Sequence, residues 1–486
     1  MAGRHLHRSV LGVARRGCAA AAAAAAHGRP LASETPRAAR TAGACAGRSY
    51  HEVSFSRCSA DPSEVLSYRS DPSIGDRDPP GCSGDAGTPQ TTLVRVEMEH
   101  VPWNPADANT VQGRYPSPYL APHGPPVPPT GRYFSKDPVA GSEGWGRVAH
   151  PVPLPFLPNG TPVALGLPGL GTMRSSLWVP ASALLPLPGA FGAALGPAGA
   201  SLVQLGGTAL RMLSGFVPLG KNGSGSSVVL QNAGNSGVGF LASQIAASSL
   251  FRGEDRAGGA PVMVSLVRRG RRSEESFAEA AGVLERAGKN AFVAAEEDFF
   301  LPGDACAKHR IVDREAVRAM KERLRALSPD GSLPRLALNA VGGDSAGLLL
   351  RLLEPGVGST LVTYGGVPGA PVSVPTPSLV FGGVRVEGYW HSRWMAGEHA
   401  RQRDRGSDAS SDHGRMHSPS VEQLVETLSG LVLNEGLECP PARVVKLNDL
   451  EEGLRWQSDL GRTLDGPLLR TKLVWDCREE GADRAG

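Results

Sequence analysis

Between residues 226 and 390 short β-branched runs alternate with helical stretches. SSVVLQN (226–232), PVMVSLVR (261–268), NAFVAAE, PRLALNAVG, STLVTYGG and VRVEGYW read as six strands. SGVGFLASQIAASSLF (236–251) and EESFAEAAGVLERAG (274–288) read as helices between them. Strands separated by helices predict βαβ units and a parallel sheet. Six strands in this order match a Rossmann dinucleotide-binding domain. Upstream, SYHEVSFSR and TTLVRVEME alternate apolar and polar positions, as half-buried strands do. DRDPPGCSGDAGTPQ and PSPYLAPHGPPVPPTGRYF (116–134) are loops by composition, and Gly/Pro punctuation continues through GLPGLGT at 166–172. Residues 396–418 are polar and biased, and read as a disordered surface insertion. The remainder, 419–486, is expected to hold one helix (VEQLVETLSGLVL) and one strand (TKLVWD).

Composition narrows this picture. A chain of 486 residues accommodates two ordinary domains with extensions. With 41% hydrophobic and 20% charged residues it can bury a core. The net charge of +3 gives no concentrated basic face, so nucleic acid is not an expected partner. Seven cysteines without a C-x-x-C pair exclude a disulfide framework and a short-range zinc site from the expectation. No apolar run reaches the roughly 18–20 residues of a membrane helix.

The first 47 residues are rich in Arg and Ala, with Glu34 as the sole carboxylate before Arg48. This composition fits a mitochondrial transit peptide, with a plastid address as the rival.

VVLQNAGNSGVG places Gly234, Gly237 and Gly239 between a strand and a helix. There they permit a tight turn and close approach of a pyrophosphate to the helix N-terminus. Asn235 and Ser236 add hydrogen-bonding groups. A site for NAD would carry an acidic residue about 20 residues further on. Instead VRRGRRSEE follows the second strand, with Arg268, Arg269, Arg271 and Arg272. Guanidinium groups pair with the 2′-phosphate of NADP, so the expected cofactor is NADPH.

These stretches resemble the mitochondrial trans-2-enoyl-CoA reductase family of the zinc-free medium-chain dehydrogenase/reductase superfamily. The likeness is carried by WNPADANTVQGRY (103–115), GSEG (141–144), GLGTMRSSLWVP (169–180), QNAGNSGVG (231–239), LALNAVGG (336–343), VTYGG (362–366) and GYWHSRW (388–394). The resemblance implies an α/β chain: a six-stranded Rossmann domain over about 198–395, and a β-rich GroES-like catalytic domain from 48–197 and 396–486. It implies NADPH-dependent reduction of trans-2-enoyl thioesters, carried on coenzyme A or acyl-carrier protein, in the mitochondrial matrix. It also implies a homodimer formed through the Rossmann sheets.

The resemblance further assigns roles. Tyr115 matches the proton donor or enolate-side partner. Asn235, Ser236, Gly237 and Val238 match the pyrophosphate turn, and Arg268 and Arg269 the 2′-phosphate segment. Tyr364, Gly365 and Gly366 match a turn near the nicotinamide, Tyr389 and Trp390 an aromatic pair beside nicotinamide and substrate, and Lys472 a cofactor-contacting lysine. Asn104 and Asn109 are candidates for orienting the site. No metal is expected, since a zinc dehydrogenase of this superfamily carries Gly-His-Glu where this chain has Gly141-Ser142-Glu143-Gly144. Two departures stand out. The family's Asn-Pro before Thr-Ala is absent from Gln204-Leu205-Gly206-Gly207-Thr208-Ala209, and Met173 replaces its landmark Trp. Insertions are expected near 76–90 and 116–140. The rival functions are a quinone oxidoreductase of the same superfamily and a non-catalytic nucleotide-binding interaction protein.

Overall fold

A computed structural model of the protein describes residues 50–71, 93–115, 137–166, 169–219, 226–252, 260–302, 310–356, 358–366, 370–404, 420–462 and 468–478. The expected leader, the insertion at 76–90 and nearly all of that at 116–140 lie outside the described residues.

The amino-terminal strands are β1 (Tyr50–Phe55), β2 (Leu66–Asp71) and β3 (Leu93–Pro102). They lead into helix α1 (Pro105–Val111), then β4 (Gly144–Val148), β5 (Pro162–Leu165), β6 (Ser176–Pro180) and β7 (Leu185–Pro186). The alternation expected of β3 is realised: Val94, Val96 and Met98 are buried and the residues between them are less so. β1 departs from alternation, with five of its six residues buried. Bridges from Glu52 to Arg174 and from Ser54 to Val139 cover its second face.

Helices α2 (Gly189–Leu195) and α3 (Leu202–Gly215) lead to the alternating region. It runs β8 (Val228–Asn232), α4 (Gly237–Ala246), β9 (Val262–Val267), α5 (Glu274–Gly288), β10 (Asn290–Ala295), α6 (Arg314–Leu327), β11 (Leu336–Asn339) and α7 (Gly343–Leu352). β12 (Thr360–Thr363), α8 (Thr376–Val380) and β13 (Arg385–Gly388) complete it. The six strands form one parallel sheet in the order β10-β9-β8-β11-β12-β13, the doubly wound order. β8 and β11 are buried throughout because helices cover both faces.

The carboxyl-terminal part holds α9 (His391–Asp404), α10 (Val421–Glu435), β14 (Ala442–Lys446), α11 (Leu450–Arg462) and β15 (Lys472–Asp476). β14 and β15 pair in parallel, and β15 joins β3 antiparallel. β14 and β15 thus extend the amino-terminal sheet, in the order β14-β15-β3-β4-β5-β7 with β6 also on β3.

Two expectations are corrected. The stretch 396–418 is not disordered from its start, since α9 continues to Asp404. Its first turns pack His391 and Met395 into the core, and helical propensity carries the polar remainder. β14 and α11 are additional to the helix and strand expected in 419–486. β14 buries only Val445 of its five residues, so it lacks the apolar run that announces a strand.

Candidate active site

The turn between β8 and α4 is assembled from its own sequence. Ser236 caps α4, its hydroxyl accepting the Gly239 N–H at 3.1 Å. A Cβ on Gly239 would stand 2.6 Å from the Ala233 carbonyl oxygen, so only glycine lets the strand end and helix start meet so closely. Behind the turn, the Gln231 amide lies among the Gly239 carbonyl at 3.1 Å and the hydroxyls of Ser243 and Ser265 at 2.8 Å. Asn235 is tied to a distant segment. Its side-chain amide donates to the Leu468 carbonyl at 3.0 Å, and its own carbonyl accepts from the Arg470 N–H at 3.2 Å. Val238 packs against the main apolar cluster.

The carboxyl ends of the neighbouring strands carry a neutral hydrogen-bonded layer. Asn232 donates to Asn339 Oδ1 at 2.7 Å and to Ser345 at 3.0 Å, and accepts from the Ala340 N–H at 2.7 Å. Asn339 in turn donates to Thr363. Tyr364, Gly365 and Gly366 leave the sheet directly after β12. Burial pushes the Tyr364 phenol up to about 12, against the pull of the Ser236 hydroxyl. The Tyr364 backbone N–H donates to the Asn339 carbonyl at 3.0 Å, which ties the residue to the end of β11.

At the end of β9, Arg268 is exposed. Arg269 is held inward by Asp298 at 2.9 Å and Glu274 at 3.6 Å. Its N–H and that of Gly270 bind the Glu297 carboxylate. Of the two arginines, Arg268 is the one presented to solvent.

Tyr389 and Trp390 follow β13. Tyr389 stands edge-on to Phe216 at 6.0 Å, and its hydroxyl is 2.7 Å from His391 Nδ1. Burial drives the Tyr389 phenol well above its ordinary range. Burial, aided by Arg211, pushes His391 down to about 3, so the ring is neutral. Trp390 is half exposed. The departing segment of α3 faces this group: a Cβ on Gly207 would lie 2.6 Å from His391 Nε2, and Gln204 donates to Ser392 at 2.7 Å. The lost Asn-Pro is therefore replaced by a Gln-and-Gly surface that accepts the start of α9.

The third group lies where the two sheets meet. Asn104 precedes α1, and Pro105 opens the helix with its φ already helical. The Asn104 amide nitrogen donates to Glu143 Oε1, and its oxygen accepts from Lys472 Nζ at 2.5 Å. Asp107 accepts from the Asn104 N–H at 2.9 Å and from the Ser142 hydroxyl at 2.5 Å. Asn104, Asp107 and Glu143 are all buried. Burial pushes the Glu143 carboxyl up to about 8, with Asp107 adding to the rise while Asn104 and Lys472 oppose it. Burial raises Asp107 as well, and lowers Lys472 against the attraction of the two carboxylates. Tyr115 lies on the turn that ends α1, its N–H donating to the Asn109 carbonyl at 3.2 Å, and its side chain is 38% exposed. Asn109 contributes that carbonyl contact to the turn.

The structure thus joins Lys472 to Asn104 and to the glycine-rich turn. Arg268 and Arg269 stand apart at the end of β9. Sequence reasoning assigned no role to Glu143 or Asp107. The available signal was an acidic residue inside GSEG and another inside NPAD, both within otherwise apolar surroundings.

No protein-family model matches the chain. It is similar to the mitochondrial enoyl-(acyl-carrier-protein) reductase of Bos taurus, 30% identical over 366 residues, covering 73% of this chain and 75% of the relative. Among solved structures it is similar to the mitochondrial 2-enoyl thioester reductase Etr1p/Etr2p heterodimer from Candida tropicalis, with a TM-score of 0.60 and 21% identity, covering 88% of this chain and 100% of that one. The complex of Etr1p with NADP and crotonyl-CoA matches with the same TM-score, identity and coverage.

Proposed function

Because this chain belongs to the mitochondrial enoyl-(acyl-carrier-protein) reductase family, we propose that it reduces trans-2-enoyl thioesters to acyl thioesters with NADPH, in the mitochondrial matrix. The observation that carries the reading is the likeness to a reductase of that name over three quarters of both chains. A glycine-rich turn in which only glycine lets the strand end and the helix N-terminus meet supports it.

The residues present fit NADPH. The turn from Asn235 to Val238 offers backbone N–H groups at a helix N-terminus, suited to a pyrophosphate. Exposed Arg268 supplies a guanidinium for the 2′-phosphate, and Arg269 shapes that loop through its carboxylate partners. Tyr364, Gly365 and Gly366 form the wall on the nicotinamide side, Tyr389 and Trp390 the wall facing substrate, and Lys472 a cation for the cofactor. NADPH supplies the hydride that adds to the β-carbon of the enoyl thioester. Negative charge then develops on the thioester oxygen and the α-carbon. Tyr115 hydrogen-bonds that charge and delivers the proton to the α-carbon. Tyr389, kept protonated by burial, lines the pocket without contributing charge.

The assembly is a homodimer. Among the described residues β13 is an edge of the parallel sheet, and Phe381 (84% exposed), Val380, Leu379 and Val386 are exposed apolar residues on it or just before it. An uncovered apolar edge strand is an association surface.

The test is loss of NADPH absorbance with crotonyl- and 2-decenoyl-CoA, against a quinone as control, for the wild type and Tyr115→Phe. Turnover of both thioesters, reduced about a hundredfold or more in the variant, is expected from loss of general-acid catalysis. A folded protein that binds NADPH but consumes it only with the quinone contradicts the proposal.

A further inference from the structure

The pocket of Asn104, Asp107, Glu143 and Lys472 is built from three separate segments: the cap and first turn of α1, the residue before β4, and the first residue of β15. Asn104 is separated from Glu143 by 39 positions and from Lys472 by 368. The amide has one orientation open to it. A carboxylate or carboxyl oxygen on one side must receive the NH2, and an ammonium on the other must receive the carbonyl oxygen. Glu143 therefore fixes which end of the Asn104 side chain faces Lys472. Glu143 is itself fixed, since Thr172 donates to its backbone carbonyl at 2.7 Å. Asp107 is held by Ser142 and by the Asn104 N–H.

Lys472 also reaches the dinucleotide sheet. Its Cε is 3.4 Å from where a Cβ on Gly237 would stand. Gly237 is the first residue of α4, the point at which backbone N–H groups converge. We propose that Asn104 and Glu143 are positioning residues for the cofactor: together they hold the Lys472 ammonium against the start of α4, where it meets the anionic part of the dinucleotide. This rests on the reading of Lys472 as a cofactor contact. An unconstrained lysine has a flexible four-carbon stem and can take many positions. Here a buried, oriented amide selects one. Neither Asn104 nor Glu143 touches the cofactor, and each acts through Lys472.

The proposal predicts non-additivity, because removing the clamp and removing the lysine abolish the same contact. The experiment measures the NADPH dissociation constant of the full chain by fluorescence for Lys472→Met, Asn104→Ser and their double variant. Serine retains a helix-capping side chain at position 104 while removing the amide bridge. Circular dichroism establishes that each is folded. Asn104→Ser is expected to raise the dissociation constant about tenfold, as loss of a charge-assisted hydrogen bond implies, and to raise KM for NADPH far more than it lowers kcat. The double variant is expected to match Lys472→Met alone. Glu143→Gln, which keeps an acceptor for the Asn104 amide, is expected to weaken binding less than Glu143→Ala. Effects of Asn104→Ser and Lys472→Met that multiply in the double variant overturn the proposal. So does unchanged binding in Asn104→Ser when Lys472→Met is weakened. Unchanged binding in folded Lys472→Met instead removes the cofactor role of Lys472 on which the proposal rests, leaving the enoyl reductase assignment to its own assay.

Discussion

Two buried polar regions of this molecule make their hydrogen bonds in opposite ways. At the carboxyl ends of β8, β11 and β12, the neutral side chains of Asn232, Asn339, Ser345 and Thr363 form a layer that also satisfies the Ala340 N–H, and its single bond to a charged group runs from Ser345 to the Glu296 carboxylate, itself paired with Arg310. Between the sheets, Asn104 stands among two carboxyl groups and an ammonium. Neutral amides cost little to bury once paired, whereas buried charges cost several kcal/mol each unless geometry compensates them. The neutral layer therefore suits a scaffold, fixing the strand ends beside the glycine-rich turn. The charged pocket suits a place where the protein must present charge to a ligand.

The contrast is broken most severely by removing one charge. Lys472→Met leaves Asp107 and Glu143 buried without their cation, and is expected to lower stability by about 3–5 kcal/mol in denaturant titration. The loss is expected to grow with pH. Glu143 is held up to about 8 in the folded protein, above the ordinary carboxyl range, so folding takes up a proton between those limits. Stability contributed by that proton is present in acid and falls as pH rises towards 8. The melting temperature of the wild type should decline through this window, and Glu143→Gln should flatten the decline.

Asn232→Leu is the matching perturbation of the neutral layer. It strands the Ala340 N–H and removes one partner each from Asn339, which keeps Thr363, and Ser345, which keeps Glu296, with an expected cost of about 2–3 kcal/mol and no dependence on pH through the same window. A pH-dependent loss there would erase the distinction between the regions. Gly207→Ala tests the contact between α3 and α9. Its methyl group would meet His391, displacing it and the Tyr389 hydroxyl bonded to it. About 2 kcal/mol of overpacking is expected, with a raised KM for the enoyl thioester. The smallest effect concerns Ala233, whose φ of 51° places a non-glycine residue in the left-handed region at the turn. Ala233→Gly should relieve that strain and stabilise the protein by about 0.5–1 kcal/mol, after the entropy of the unfolded chain is counted.

The glycine-rich turn beside the neutral layer was legible in the sequence, whereas the bonds within either polar region were not, although Asn104 and Lys472 stood out singly as candidates. The strand, glycine-rich turn and capped helix from Val228 to Ala246 are contiguous, so periodicity and local stereochemistry disclose them together. The arginines after β9 were also visible as a run, although the run does not reveal that Arg269 faces Asp298 while Arg268 faces solvent. In the pocket, Asn104 lies 39 positions from Glu143 and 368 from Lys472, and no local pattern brings them together. α9 was misread because its outer turns are polar on every side and resemble a solvated linker. β14 was missed because it is a short, exposed edge beside β15. The Gln204–Ser392 and Gly207–His391 contacts likewise required the fold.

The most direct test of the central assignment follows the hydrogen atoms. Crotonyl-CoA is incubated with the protein and NADPH deuterated at the transferring nicotinamide carbon, and the product is read by mass spectrometry and proton resonance. The account predicts butyryl-CoA with one deuterium on the β-carbon and a solvent-derived proton on the α-carbon. Butyryl-CoA lacking the β-deuterium, or no butyryl-CoA from a folded protein that binds NADPH, contradicts it.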